Sequence, residues 1–454
     1  MGTHGKKQDL NRRRFLHSAV VAGAGVVLSP MVPANSDNKK NDDINVALLG
    51  AGAQGKVLMV ACRQIPGIRF KAVCDIWTAW NQGNISRLLK RYGHENNTYV
   101  DYREMLDAEK DLDAVIVATP DFRHAEHTVA CLNAGLHVYC EKEMSNTLEG
   151  ARKMAQAAKQ TGKLLQIGHQ RRSNPRYIFC CEKLIKEANL LNRITTVNGQ
   201  WNRSKMACED LGFPEKYPIE QAVLEKYGFK SMHQFRNWRW FKGLGGGPIV
   251  DLGSHQIDIY NWFLGGHPRS VVADGGVDYW KDHEWYDNVM AIFEYQTKQG
   301  LVRAFYQTTT TNSSNGYFES FMGDEGTLVI TEHPPSRCSV YREKWVDETK
   351  WDKWVKKGYL TKAKGLNQPK NEDAAGDVMP PSPRPPKYDF LVETHKLFHQ
   401  AHLENFFEAI RSGGKVKLNC PAEVGYETAV AVLKVNEAVK AGKKLEFKPQ
   451  EFKV

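Results

Sequence analysis

At 454 residues, the chain exceeds the size that one hydrophobic core usually supports, so we expect two domains. Its content of 41% hydrophobic and 25% charged residues is typical of a globular protein and argues against a disordered chain. The formal net charge is +10, but five lysines and arginines against one aspartate lie in the first 34 residues, and no long basic run follows, which argues against a nucleic-acid-binding protein.

The N-terminus has the composition of an export signal. A basic stretch containing Arg12-Arg13-Arg14-Phe15-Leu16 precedes an apolar run over residues 18–32, and small residues end at Ala34. The paired arginines resemble the twin-arginine pattern, whose pathway carries folded proteins, so a cofactor can be loaded before export. An ordinary secretory signal and a tethered N-terminus are the alternatives. We predict an export signal over 1–34, a linker over 35–43, and a periplasmic or otherwise exported protein with no membrane span after signal removal.

Residues 44–168 alternate short apolar strands with helical segments, which is typical of a parallel sheet covered by helices on both faces. Directly after the first strand comes Gly50-Ala51-Gly52-Ala53-Gln54-Gly55, a GxGxxG pattern that opens a helix. The first glycine permits a tight turn, the second lets the backbone approach a pyrophosphate, and the third lets helix and strand pack closely. This region is therefore predicted to be a dinucleotide-binding Rossmann domain.

The second strand ends at Asp75, where a carboxylate can accept hydrogen bonds from both hydroxyls of an adenosine ribose. The same charge would repel a 2′-phosphate, and no arginine follows immediately, so NAD is favoured over NADP. The alternative interpretation is a glycine turn followed by a capping aspartate.

From residue 169 to residue 454 the pattern predicts an α+β domain. Alternating runs at 288–296 and 301–310 are typical of an open antiparallel sheet with one solvated face, and helices are predicted near the C-terminus. The nine cysteines show neither CxxC pairs nor regular spacing, so we expect buried thiols and no metal site.

Two stretches, "ATPDFRHAEHTVACLNAGLHVYCEKEMSNT" (118–147) and "GGGPIVDLGSHQIDIYNW" (245–262), together with the glycine pattern resemble the Gfo/Idh/MocA family of oxidoreductases. The resemblance runs from about residue 44 to the end, apart from excursions near 203–232 and 336–390. It implies a Rossmann domain followed by an open, mostly antiparallel sheet that often forms the oligomer contact, and hence a homo-oligomer.

The resemblance also implies roles for individual residues. Lys142 matches the family lysine that lies near nicotinamide and substrate, and Glu141 matches a residue beside the nicotinamide ribose. Glu143 stands where the family has proline. The family's Asp-x-x-x-His pattern falls on Asp251 and His255, which we predict to be catalytic together with Lys142.

On a helix, Asp251, His255, Asp258 and Trp262 share one face. The alternative is an amphipathic helix whose polar side faces water. The triple glycine at 245–247, which allows close approach, and a lysine supplied by the other domain favour the functional interpretation.

Further cofactor-binding candidates lie at the carboxyl edge of the first sheet, where ligands of such folds gather. They are Thr119, Pro120 and His124 in the "ATPDFRH" turn and Arg172 after the fifth predicted strand. His124 could instead cap or pack a helix, and Arg172 could be a solvated charge. Four tryptophans could stack on sugar faces or serve packing, namely Trp238, Trp240, Trp280 and Trp285.

These residues suggest oxidation of a secondary alcohol, with NAD accepting a hydride, His255 accepting the hydroxyl proton, Asp251 orienting the imidazole and Lys142 stabilising the alkoxide. The proton could instead pass to Lys142. We expect an exported oxidoreductase that acts on a sugar, polyol or glycoside and retains NAD tightly. An NAD-dependent glycosidase working by transient oxidation and elimination is the alternative, and a non-catalytic sugar sensor is a third.

Overall fold

The computed structural model describes residues 43–363, 385–390, 392 and 395–454. The predicted export signal over 1–34 lies outside the described residues, as does the predicted linker except Asp43.

Six parallel strands form the first sheet, in the order β3-β2-β1-β4-β5-β6. The strands are β1 Ile44–Leu49, β2 Ile68–Cys74, β3 Asn97–Tyr99, β4 Ala114–Val117, β5 His137–Cys140 and β6 Leu165–Ile167. The helices between them are α1 Ala53–Cys62, α2 Gly83–Arg91, α3 Tyr102–Ala108, α4 Asp121–Asn133 and α5 Leu148–Thr161. The predicted Rossmann architecture is confirmed. The sequence pattern missed β3 because this edge strand is short and largely polar.

A ten-stranded sheet forms the second half, in the order β14-β15-β13-β12-β11-β7-β10-β9-β8-β16. Its strands are β7 Ile194–Asn202, β8 Pro268–Gly276, β9 Asn288–Thr297, β10 Gly300–Thr309, β11 Tyr317–Gly323, β12 Gly326–Ile330, β13 Ser339–Arg342, β14 Thr361–Lys362, β15 Lys387–Asp389 and β16 Leu445–Glu446. Adjacent strands in this described sheet are antiparallel except β7 and β10. The predicted open, mostly antiparallel sheet is therefore confirmed.

The remaining helices cover the sheets and connect them. They are α6 Pro175–Phe179, α7 Lys205–Cys208, α8 Gln221–Lys226, α9 Met232–Arg236, α10 Ser254–Leu264, α11 Thr349–Lys356, α12 Gln400–Arg411 and α13 Ala422–Ala441, with shorter 3₁₀ and π turns that include Ile249–Gly253 before α10. Within the described parts of the chain, no helix is both long enough and apolar enough to cross a membrane.

The C-terminal helices do not respect the predicted boundary at residue 169. Leu403 and Phe406 of α12 pack into the same apolar cluster as Val46 and Phe70 of the first sheet. Helix α13 lies between α5 on one side and β8 on the other. The first sheet is thus completed by residues more than 200 positions away, which periodicity within either half could not reveal.

All nine cysteines are buried free thiols, as the sequence predicted.

Candidate active site

The glycine-rich turn leaves open space where the pattern requires it. Gly50 has φ +96°, and a Cβ there would lie 2.6 Å from the Ala118 carbonyl, while a Cβ at Gly55 would overlap the Gly50 carbonyl oxygen. At Gly52, by contrast, the nearest heavy atom to an added Cβ is the Asn81 amide nitrogen at 3.8 Å. An anionic ligand can therefore come close to the first backbone N–H groups of α1, which begins at Ala53. These residues fit the pyrophosphate of a dinucleotide.

Asp75 stands directly after β2 and faces this turn. One carboxylate oxygen accepts a hydrogen bond from the Ala51 amide and the other from the Trp77 amide, each at 2.7 Å. Burial raises the pKa of Asp75 to about 6, although both backbone hydrogen bonds oppose the shift. The oxygen bonded to Trp77 retains a lone pair that can accept a ribose hydroxyl, and the oxygen bonded to Ala51 also accepts a longer hydrogen bond of 3.4 Å from the Asn81 amide.

The turn between β4 and α4 forms the neighbouring wall. Thr119 and Pro120 are half-buried, and the Thr119 backbone nitrogen would lie 2.8 Å from a Cβ added at Gly50. His124 is fully enclosed behind them, with its ring nitrogens 2.7 Å from the carbonyl oxygens of Glu143 and Thr119, and burial lowers its pKa to about 4. His124 thus joins two backbone turns of the site, and its predicted contact with the cofactor stays a prediction.

Glu141, Lys142 and Glu143 follow β5 and point in different directions. Glu141 accepts a hydrogen bond from the Gln54 side-chain amide at 3.0 Å, and burial raises its pKa to about 7. The Lys142–Glu143 peptide bond is cis. Glu143 is buried and accepts a hydrogen bond from the Met144 amide at 2.7 Å, and burial raises its pKa to about 8.

Lys142 reaches the second domain. Its ammonium group donates to the backbone carbonyl oxygen of Asp251 at 2.5 Å and lies 3.9 Å from the Asp251 carboxylate. The two residues are more than 100 positions apart, so the two domains meet at this contact. The predicted convergence of Lys142 and Asp251 is present in the structure.

Three cations surround the Asp251 carboxylate. Arg239 donates from Nε to Oδ1 at 3.0 Å, and the Arg203 guanidinium lies 3.7 Å from Oδ2. Burial alone would raise the pKa of Asp251, but Arg239, Lys142 and Arg203 outweigh it and hold the pKa well below its usual range. Asp251 is therefore ionised at neutral pH.

The predicted hydrogen bond between Asp251 and His255 is not formed. Nδ1 of His255 is buried and finds no partner among the described residues. Residues 249–253 form a wide π turn before α10, and the extra residue in that turn changes the angular spacing that a regular helix would give. Asp251 consequently faces the cations rather than the imidazole.

The imidazole of His255 lies instead against Trp201, with ring centroids 5.1 Å apart. Trp201 in turn stacks on Tyr317 at 4.6 Å. Burial, reinforced by the Lys142 charge, lowers the pKa of His255 well below its ordinary value. The ring is therefore neutral at physiological pH, with its buried Nδ1 unpartnered among the described residues. Trp201 is the penultimate residue of β7 and carried no distinguishing signal in the sequence.

Arg172 and Asp258 form a buried ion pair. The Nε atom of Arg172 lies 2.9 Å from both carboxylate oxygens, and Thr428 donates to one of them at 2.9 Å. The Arg172 guanidinium also lies 5.6 Å from the Trp262 ring. This arginine is therefore not a solvated charge, and its predicted contact with the cofactor stays a prediction. The second half of the predicted face of α10 is thus occupied by protein contacts.

Two further histidines border the site. His169, next to Gly168 at the end of β6, is buried with no described hydrogen-bond partner on either ring nitrogen, and burial lowers its pKa to about 4. Nε2 of His399 lies 3.0 Å from the Gln54 amide nitrogen, and burial lowers its pKa to about 4. The strand-edge position could have identified His169, whereas nothing local marked His399.

Residues 205–244, which we call the covering segment, lie across the cofactor edge of the first sheet. Trp77 donates from Nε1 to the Tyr217 carbonyl oxygen at 2.7 Å, and Trp80 stacks on the Tyr217 ring at 5.7 Å. On the β4 side, Arg123 donates to the Tyr227 carbonyl oxygen at 2.8 Å. The segment therefore contacts both walls that flank the glycine-rich turn.

The four tryptophans named from the sequence serve packing. Trp240 and Trp280 are buried and both lie against His283. Trp285 donates to the Gly245 carbonyl oxygen at 3.1 Å, and Trp238 joins the apolar cluster of the covering segment. Among the residues that the structure describes, no group of three or more histidine, cysteine or acidic side chains is placed to hold a metal ion.

Two family models match the chain. Residues 44–169 match the oxidoreductase family with an NAD-binding Rossmann fold, and residues 222–329 match the GFO/IDH/MocA C-terminal domain. Together the two matches span just over half of the chain.

Curated relatives match over about half of their length. The chain is 29% identical over 250 residues to scyllo-inositol 2-dehydrogenase (NADP(+)) of Bacillus subtilis, covering 54% of this chain and 58% of the relative. It is 32% identical over 230 residues to inositol 2-dehydrogenase of Klebsiella pneumoniae, covering 50% of this chain and 56% of the relative.

A solved structure of levoglucosan dehydrogenase in complex with NADH and L-sorbose has a similar fold. It is 18% identical, with a TM-score of 0.65 over 90% of this chain and 99% of that chain. Both halves of the fold are shared, and the family models cover the glycine-rich turn, Lys142 and the Asp251–His255 segment. By fold and by sequence, the chain belongs to the GFO/IDH/MocA family of oxidoreductases.

Proposed function

We propose that this chain is an exported, NAD-dependent dehydrogenase that oxidises a secondary hydroxyl group of a sugar, polyol or glycoside. The observation that carries the proposal is the contact of Lys142 with Asp251, which brings a lysine of the cofactor-binding domain to the His255 segment of the second domain. Gly52 and Asp75 give the adjoining edge of the first sheet the features of a dinucleotide site. The names of the relatives, inositol and levoglucosan dehydrogenases, support the substrate class.

The chain's residues divide the work of alcohol oxidation. The neutral imidazole of His255 takes the hydroxyl proton, and the carbon–oxygen double bond forms as the C–H electron pair leaves as hydride. NAD, when bound, supplies the acceptor for that hydride. The Lys142 ammonium lies where it can stabilise negative charge on the reacting oxygen, and Asp251 fixes it through both its backbone carbonyl and its carboxylate. Lys142 is the second candidate for the proton acceptor.

NAD, rather than NADP, is the proposed cofactor. Asp75 holds its carboxylate at the end of β2, where it can accept ribose hydroxyls and repel a 2′-phosphate. We therefore expect NAD to predominate in the nucleotide released by denaturation.

Tight retention of the nucleotide is part of the proposal. The contacts of the covering segment with Trp77, Trp80 and Arg123 bridge both walls beside the glycine-rich turn. Release of the adenosine end then requires these contacts to open. Retention suits a protein that is loaded before export, since Arg12-Arg13 lies in a signal that resembles the twin-arginine type.

Export is tested by replacing Arg12 and Arg13 together with lysine, which preserves charge but removes the paired guanidinium groups. Loaded protein should then accumulate in the cytoplasm. Unchanged export would assign the protein to the general secretory route.

We also propose a homo-oligomer that uses the outer face of the second sheet. Val272 and Ile292 are cross-strand partners on this face and are 40% and 43% exposed, and Phe305 continues the row on β10. Light scattering should report more than one copy, and Ile292→Lys should shift the mass toward the monomer.

The activity is tested by incubating cytoplasmically folded protein with a panel of sugars, polyols and glycosides and determining the masses of the products by mass spectrometry. Loss of two hydrogen atoms, with reduced nicotinamide appearing in the same sample, supports the dehydrogenase. Release of an aglycone without net oxidation indicates the glycosidase chemistry instead. Binding without any product contradicts an enzymatic role.

A further inference from the structure

Two arginines bracket the Asp251 carboxylate from opposite sides. Arg203 directly follows β7 and lies 3.7 Å from Oδ2, and Arg239 lies in the covering segment and donates to Oδ1 at 3.0 Å. They come from separate stretches of the second half, so the fold alone brings them together. Neither was singled out by the sequence.

Most of the donors of these arginines are unused. A guanidinium has five N–H donors. Within the described residues, Arg239 uses only Nε in a side-chain hydrogen bond, and the Arg203 side chain donates none. Their side chains are 37% and 23% exposed, so the unused donors are partly accessible beside Asp251.

The surroundings of Asp251 also carry an excess of positive charge. Lys142, Arg203 and Arg239 surround one ionised carboxylate, that of Asp251. The other acidic groups nearby, Asp121 and Glu141, are buried, and burial raises the pKa of each to about 7. They therefore compensate the three cations only partly at neutral pH, and an added anion would be stabilised.

We propose that Arg203 and Arg239 form a recognition site for a carboxylate of the substrate, so that this chain prefers a sugar acid, or a glycoside of one, to the neutral sugar. The inference rests on the proposed dehydrogenase function. Planar guanidinium groups match a carboxylate through paired N–H···O bonds, which a lysine cannot reproduce.

The position of Arg203 favours the substrate over the cofactor as the source of the anion. Its guanidinium lies 5.5 Å from the ring of Trp201, which also contacts His255, Tyr317 and the Arg171 guanidinium, all of the second domain. The space at Gly52, where a pyrophosphate fits, belongs to the first domain. A group held by Arg203 is therefore beside the proposed proton acceptor.

The test compares a methyl glucuronide with the matching methyl glucoside in the nucleotide-loaded enzyme. Wild-type protein should have the higher kcat/KM on the acid. Arg203→Met and Arg239→Met should each lower the ratio of kcat/KM on the acid to kcat/KM on the neutral glycoside by roughly 10- to 100-fold, the range for hydrogen bonds to a charged group. Arg203→Lys should not restore the preference, since it keeps the charge and loses the fork.

Arg303→Met is the matched control, because this arginine is 63% exposed on the second sheet, and the variant should leave the preference for the acid unchanged. We would measure equilibrium binding of the acid for every variant by the change in tryptophan fluorescence. We would also measure the nucleotide content of every variant after denaturation. If only the Arg203 and Arg239 variants lose binding of the acid, the carboxylate site is supported. If neither substrate is oxidised in that case, the proposed dehydrogenase function fails while the carboxylate site stands. Better turnover of the neutral glycoside by wild type overturns the carboxylate site and leaves the dehydrogenase intact. Variants that lose nucleotide, but not selectivity, overturn it as well and assign the arginines to a cofactor phosphate.

Discussion

The glycine-rich turn and the polar face around α10 differ in how much of each is left available for a ligand. At the turn, Gly50 and Gly55 are required by close packing of the protein, and Gly52 leaves room above the start of α1. Around α10, Asp258 is already paired with Arg172, and Asp251 is surrounded by cations. A local glycine pattern in the sequence thus predicts where space is available. A row of polar side chains on a helix does not predict which of them remain free for a ligand.

The largest effect should follow from removing the proposed chemistry. His255→Ala should slow the reduction of bound nucleotide by roughly 10²- to 10⁴-fold in single-turnover experiments, because the hydroxyl proton loses its acceptor. Lys142→Met should also slow it, and the double variant should cost much less than the product of the two single effects. Nucleotide content should stay normal.

If His255→Ala keeps a near-normal rate and Lys142→Met loses most of its rate, Lys142 rather than His255 is the proton acceptor. Near-normal rates for both would place the chemistry elsewhere in the molecule.

Arg172→Met should act on stability instead. The substitution leaves the Asp258 carboxylate buried without its partner, which should lower the free energy of unfolding by about 3 to 5 kcal/mol in chemical denaturation. Asp258→Asn in the same chain should recover part of the loss, because it removes the unpaired charge. A normal unfolding free energy with slow turnover would instead return Arg172 to the ligand contact that the sequence suggested.

The covering segment should affect release of the nucleotide. Tyr217→Ala removes the ring on which Trp80 stacks, and we expect nucleotide dissociation to accelerate by roughly 3- to 10-fold, the range expected for one aromatic contact. Dissociation is measured by dilution into an excess of competing nucleotide. Trp345→Ala, at a ring that is 67% exposed, is the control and should leave the rate unchanged. An unchanged rate for Tyr217→Ala would show that this contact does not limit release.

The smallest effect concerns pH and Asp75. Because burial raises the pKa of this carboxyl to about 6, its ionised form predominates above that pH and is lost below it. NAD affinity of nucleotide-stripped protein should therefore weaken as the pH falls from 7 to 5, by roughly a few-fold for hydrogen bonds that lose their charge. Asp75→Asn should bind NAD more weakly at pH 7 and show little dependence over this range. A parallel pH dependence in the variant would assign the titration to another group.

Local sequence rules were sufficient where one segment forms its own feature. The strand, the spaced glycines and Asp75 lie within about 30 residues, so turn geometry and helix polarity determine the dinucleotide cradle. The alternation of apolar residues in β9 and β10 likewise predicted an open antiparallel sheet, because one face of each strand is buried.

Only the tertiary structure decided which charged groups meet. The sequence marked Lys142, Asp251 and His255 through a family resemblance, yet the π turn over 249–253 turned Asp251 away from the imidazole and toward Arg203 and Arg239. Likewise, α12 completes the first sheet from the far end of the chain, and His399 reaches Gln54 across 345 positions. Burying a charge is costly unless a partner is supplied, and in this fold the partners come from distant segments, so pairing depends on packing that no local periodicity encodes.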